Sequence, residues 1–99
     1  MSFSTHVLDA VTGRPAVGVQ VRLEHQGQVV AQGRTDDDGR IKGWSPGAGV
    51  HRVVFDTGSY LRDTFYPEVV ITFTVADPAE HYHVPLLLSP FAYSTYRGS

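Results

Sequence analysis

Histidine has the widest chemical reach of any residue type here: there are five, His6, His25, His51, His81 and His83, and no cysteine. A neutral imidazole, with an unperturbed pKa of about 6.5, takes a proton from water near neutral pH and returns it to a leaving group. Without cysteine, disulfides, thiolate nucleophiles and Cys-based zinc sites are excluded. His81 and His83 stand two apart in Glu80-His81-Tyr82-His83-Val84-Pro85, so on a strand they share a face. That spacing offers two imidazoles to zinc, and it equally suits a solvated edge histidine beside a buried one. His6 alternates with Ser4 and Leu8, where a histidine that only bonds a neighbour is the ordinary case. Arg40 follows a turn, the usual place for a surface charge. Its guanidinium is also the group that holds a planar, oxygen-rich molecule and stabilises a developing oxyanion. A serine nucleophile is the weaker idea, because no acidic third member stands where it would orient a Ser-His pair.

These side chains need elements to hold them. Residues 80–99 read as two strands, 81–88 and 91–97, around a tight Ser89-Pro90 connection. Tyr82, Val84, Leu86 and Leu88 fall on one face as a sandwich core. His81, His83, Pro85 and Leu87 fall on the other, which suits neither a core nor free solvent and points to a cleft or a subunit contact. Upstream, 3–9 alternates as a half-buried strand, and 17–24 sends Val19, Val21 and Leu23 inward. A strand over 29–35 follows a hairpin turn, with Gly33 as a bulge. Asp36-Asp37-Asp38-Gly39 is a turn in which aspartates bond nearby amides and Gly39 supplies positive φ. A calcium reading of the three aspartates lacks the downstream bidentate glutamate of an EF-hand. Strands over 40–44, 50–57 and 68–75 complete the set, and a helix fits only over 56–64, for about two turns. Eight short strands with almost no helix predict an all-β, antiparallel sandwich, one domain over 1–99.

Composition narrows the function. With 41% hydrophobic and 18% charged residues, the profile is that of one compact soluble domain, small enough that oligomerisation would add useful burial. The formal charge of -2 is spread without long runs, so there is no basic footprint for nucleic acid or an anionic membrane. No apolar run approaches the roughly 20 residues that span a bilayer. Met1-Ser2-Phe3-Ser4-Thr5-His6 lacks the basic region and apolar run of a secretory signal, which makes cytoplasmic residence the expectation.

Three stretches, T-H-V-L-D-A-V-T-G-R-P-A, D-D-D-G-R-I and H-V-P-L-L-L-S-P with a terminal Y-R-G-S, give the chain its resemblance to the 5-hydroxyisourate hydrolases, the transthyretin-related enzymes of urate breakdown. The terminal tetrapeptide separates those enzymes from the hormone-carrying transthyretins. The resemblance covers essentially the whole chain. It implies a transthyretin-like sandwich with one short helix after the fifth strand, hydrolysis of 5-hydroxyisourate to 2-oxo-4-hydroxy-4-carboxy-5-ureidoimidazoline, and no cofactor or metal. It also implies a homotetramer, a dimer of dimers with sites in the channel where dimers meet.

Carried over by motif, the catalytic residues are His6, Arg40 and His83, and Tyr96, Arg97, Gly98 and Ser99 line the site around the small-molecule substrate. Gly98 is expected to let the tail turn toward the histidines. His81 falls outside the inherited set as a neighbour, and His25 and His51 have no claim on it. The residue types fit the reaction, since opening a ring amide needs an activated water, a polarised carbonyl and a proton for the departing nitrogen. Leu86-Leu87-Leu88 adds independent support for oligomerisation: three consecutive leucines bury both strand faces, and a facing subunit would cover Leu87 and His83. Three alternatives stand beside this reading: a carrier of a small aromatic ligand, a metal-dependent hydrolase built on His81 and His83, and a structural sandwich module. Polarity separates the first, because His6, Arg40, His83 and Tyr96 suit a polar purine-derived ring better than a hydrophobic hormone.

Overall fold

Period-two alternation becomes strand over most of its length in this chain. A computed structural model describes residues 2–99, so Met1 of the expected domain lies outside the described residues. Its strands are β1 (Ser2–Asp9), β2 (Arg14–Pro15), β3 (Gln20–His25), β4 (Gln28–Arg34), β5 (Arg40–Trp44), β6 (Gly49–Asp56), β7 (Val69–Val75), β8 (His81–His83), β9 (Leu86–Leu88) and β10 (Tyr93–Thr95). One sheet runs β4-β3-β6-β7 and is antiparallel throughout. The other is built around β1. The first half of β1 lies between β8, parallel to it, and β5, antiparallel; its second half lies between β9, parallel, and β2, antiparallel, with β10 closing the edge against β9.

The sheets close on an apolar core to which β1 gives Phe3 and Val7, β3 gives Val21 and Leu23, β6 gives Val53 and Phe55, and β9 gives Leu86 and Leu88. Burying each such side chain contributes about 1.5–3 kcal/mol. Phe3 stacks on Trp44 of β5 at 5.8 Å and on Phe73 of β7 at 5.5 Å, which ties the two sheets together beneath the first half of β1. No helix among the described residues is long and apolar enough to cross a membrane.

The sandwich agrees with expectation, and four details differ. The expected strand over 81–88 is broken at Val84-Pro85, because Pro85 has no N–H to give a ladder. This break and the two-residue β2 account for ten strands where about eight were expected. The pairing of β1 with β8 and β9 is parallel, so this sheet is mixed and not antiparallel throughout. The expected two-turn helix over 56–64 is a single 3-10 turn, Thr57–Ser59, without a side-chain cap. Its polar groups are claimed by the crossing segment instead: the Gly58 amide donates to the Pro67 carbonyl at 2.8 Å and the Thr57 hydroxyl to the Tyr66 carbonyl. The bulge lies at Val30, where the register jumps from Leu23–Ala31 to Glu24–Val29. Gly33 stays paired with Val21 and leaves room for the Trp44 ring 3.6 Å from its missing Cβ.

Candidate active site

β1 supplies the platform. Phe3, Thr5 and Val7 are fully buried, so Ser2, Ser4, His6 and Leu8 are turned to the outer face of the sheet. Cross-strand register then decides their neighbours: His6 pairs with Arg40 of β5, Ser4 with His83 and Ser2 with His81 of β8. Three segments distant in sequence thus deliver His6, Arg40 and His83 to one surface.

Arg40 is held by the turn before it. The Asp36 carboxylate accepts hydrogen bonds from the Arg40 amide at 3.0 Å and the Asp38 amide at 2.8 Å. The Arg40 amide bond, then the Asp38 bond, holds the Asp36 pKa below the usual carboxylate value. Gly39 has a φ of 74°, and its carbonyl accepts from the Val7 amide at 2.8 Å. A Cβ at this glycine would stand 2.6 Å from the Val7 carbonyl oxygen, so only glycine lets the turn lie against β1 beside His6. The Arg40 side chain is exposed and joins none of the salt bridges among the described residues. Its charge is therefore available to an anionic or carbonyl oxygen.

His83 stands at the end of β8, where the strand breaks. The break is stabilised by hydroxyls: Thr5 donates to the Val84 carbonyl at 2.6 Å and Thr95 to the Pro85 carbonyl at 2.7 Å, while the Val84 amide returns to the Ser4 carbonyl at 3.0 Å. The imidazole is half-buried, with Nδ1 hydrogen-bonded to the Ser4 hydroxyl at 2.7 Å. Its pKa is held below the ordinary histidine value, first by burial and then by the Arg40 charge, with His81 and His6 adding to it. A backbone interaction with Ser4 works the other way. The outcome is a neutral imidazole at neutral pH beside a fixed cation, a combination suited to a general base.

The tail meets this surface in part. The Gly98 amide donates to the His83 carbonyl at 2.8 Å, and a Cβ on Gly98 would lie 2.4 Å from His83 Cδ2. Gly98 is not among the glycines with positive φ, so its contribution is space for the imidazole and not the flexibility expected of it. Tyr96 is 60% exposed. Arg97 turns away, its guanidinium 4.8 Å above the Tyr82 ring and 3.2 Å from Glu80. Together with His83, Tyr96 and Arg97 also line an apolar cleft of about 310 Å³ against Ile71 and Phe73 of β7. That cleft reaches neither His6 nor Arg40, and the cation on its lining, Arg97, is already held by Glu80 and the Tyr82 ring. Ser99 is exposed beyond Gly98.

Both nitrogens of His81 are engaged, Nδ1 by the Ser2 hydroxyl and Nε2 by the Ser4 hydroxyl at 3.0 Å. Among the described residues no three His, Asp or Glu side chains converge on a point that could hold a metal ion. His25 and His51 lie on the other sheet, paired across β3 and β6. Sequence reasoning passed over Ser4, whose role would have been visible only from the register that sets it beside His83.

A family model described as HIUase/Transthyretin family matches residues 3–98. A 5-hydroxyisourate hydrolase of Salmonella dublin is 48% identical, over 97% of this chain and 79% of the relative. Among solved structures, the 5-hydroxyisourate hydrolase of Klebsiella pneumoniae superposes with a TM-score of 0.90 at 34% identity, covering 99% of this chain and 93% of that one. Transthyretin from Sparus aurata superposes with a TM-score of 0.86 at 33% identity, covering 97% and 95%.

Proposed function

The chain belongs to the HIUase/Transthyretin family, and from that premise we propose that it hydrolyses 5-hydroxyisourate on the outer face of β1, β5 and β8, giving 2-oxo-4-hydroxy-4-carboxy-5-ureidoimidazoline. The observation that carries this reading is the pairing of a half-buried, hydroxyl-bound His83, whose pKa is depressed, with the unpaired Arg40 opposite His6. In this reading neutral His83 takes a proton from water through Nε2, the nitrogen that Ser4 leaves free. Arg40 holds the oxygen-rich ring and stabilises the oxyanion that forms as water attacks the ring carbonyl. His6, across from Arg40, supplies the proton to the departing ring nitrogen. Gly98 keeps space beside the His83 ring, and Tyr96 and Ser99 border the substrate. Arg97 fits a role in anchoring the tail through Glu80 and Tyr82 better than contact with substrate.

This face is open to solvent, with Arg40 and His81 exposed on it. A facing copy would close it, in a homotetramer arranged as a dimer of dimers that also covers the half-buried Leu87. Light scattering on the active species checks this, and an active monomer would remove the shared channel. The decisive functional test is the ultraviolet decay of freshly generated 5-hydroxyisourate. Decay faster than the spontaneous rate, in proportion to protein, is expected. A folded protein that leaves the spontaneous rate unchanged would refute the reading.

A further inference from the structure

Three residues with no role in that reaction, Ser4, His81 and Ser2, form a continuous hydrogen-bonded line with His83. The Ser4 hydroxyl lies 2.7 Å from His83 Nδ1 and 3.0 Å from His81 Nε2, and the Ser2 hydroxyl meets His81 Nδ1. The parallel register of β1 and β8 produces the line, since it sets Ser2 beside His81 and Ser4 beside His83 on the outer face. The line runs from the half-buried His83 through the exposed His81 to the Ser2 hydroxyl. Every link is a hydroxyl or an imidazole, groups that both donate and accept. A carbonyl or an ammonium in any of these places would stop a proton; none interrupts the line.

We propose that Ser4 and His81 relay to solvent the proton that His83 removes from the attacking water. The proposal rests on the reading of His83 as the base. At the start His83 carries its hydrogen on Nδ1 and donates it to Ser4 Oγ; Ser4 donates to His81 Nε2; and His81 carries its hydrogen on Nδ1, toward Ser2. As His83 Nε2 gains the proton from water, the Nδ1 hydrogen passes to Ser4 Oγ and the Ser4 hydrogen passes to His81 Nε2. His81 then releases its Nδ1 hydrogen through Ser2 to water. One proton enters, one leaves, and both imidazoles end neutral. His6 on β1, Arg40 on β5 and His81 on β8 itself all disfavour charge on His83, so a proton held there is driven outward. Ser4 and His81 act through His83 and are positioning and relay residues.

The test has a kinetic arm and an arm that needs no turnover. Ser4→Ala should lower kcat about tenfold or more with KM nearly unchanged, and Ser4→Thr, which keeps the hydroxyl, should restore it. His81→Ala should show a similar loss, and imidazole added to the buffer should recover it, because the position is open to solvent. A merely structural role for His81 would not respond to imidazole. In parallel, long-range proton–nitrogen NMR reads the tautomer of His83: Nδ1–H is expected in the wild type, with a shift toward Nε2–H in Ser4→Ala. Wild-type kcat in Ser4→Ala, or a His83 tautomer that the substitution leaves unmoved, would overturn the relay. Failure of the wild-type protein to act on 5-hydroxyisourate would instead refute the functional reading, and the NMR arm would still decide whether the line sets the His83 tautomer.

Discussion

The molecule carries two pairs of adjacent histidines, one on each sheet, and their surroundings have little in common. His25 and His51 stack at 4.4 Å between ring centroids, each with its Nδ1 bonded to a main-chain carbonyl, Val50 at 2.9 Å and Gly49 at 3.1 Å. His51 is buried against Phe73. His81 and His83 stand 6.4 Å apart and are bonded to serine hydroxyls, and His83 feels the charge of Arg40. A carbonyl only accepts, so it fixes one tautomer and the ring becomes a structural plate. A hydroxyl donates or accepts, so it leaves both tautomers within reach. Residue type is the same in both pairs. The partners make one of them packing and the other a candidate for proton transfer.

The sharpest way to break this comparison is substitution. His83→Ala, Arg40→Ala and His6→Ala should each lower turnover on the order of 10²-fold or more with the fold kept. His25→Ala and His51→Ala should stay near wild type per folded molecule, with His51→Ala losing melting temperature because it empties a buried site. Equal, mild losses across all five histidines would erase the distinction between the pairs. A smaller loss is expected from Gly98→Ala. Its methyl group would meet His83 Cδ2 at 2.4 Å, so turnover should fall about tenfold as the ring is displaced, while melting temperature changes little. Turnover kept at the wild-type level in a folded Gly98→Ala protein would detach the tail from the site.

The smallest effect is on stability. The folded-state pKa of His83 lies below its unfolded value, so as pH falls below the ordinary histidine range the unfolded chain binds the proton first. The stability tied to the neutral ring is complete above that range and is lost as pH falls toward the folded pKa. Between about pH 7.5 and about pH 5.5, wild type should lose more melting temperature than His83→Gln, which has no such proton to bind. Identical losses would mean that burial and Arg40 do not act on His83 as described.

Much of the architecture was legible in the chain because alternation is a local signal. Val19, Val21 and Leu23 point inward as their spacing required, and the Asp36–Gly39 turn forms as its residue types required. What escaped reading depends on contacts distant in sequence. The helix over 56–64 gave way to bonds donated to the Tyr66 and Pro67 carbonyls, and the break at Val84-Pro85 depends on hydroxyls from Thr5 and Thr95. In the site, His6, Arg40 and His83 were found through motifs, and the register of β1 brings them to one face. Ser4 gave no signal, since a serine two residues before a histidine is unremarkable until β8 is laid beside it. Gly98 was read for flexibility, whereas its value is the absence of a Cβ against an imidazole that the sequence could not place there.

The most direct measurement compares the two pairs in one experiment. Urate, a stable planar purine of the substrate's chemical class, is titrated into the wild-type protein while the side-chain signals of all five histidines are followed by NMR. Saturable shifts at His6 and His83, with His25 and His51 unmoved, are the predicted result. Saturable shifts at His25 and His51 with His6 and His83 silent would put ligand binding on the other sheet and contradict the assignment of the site.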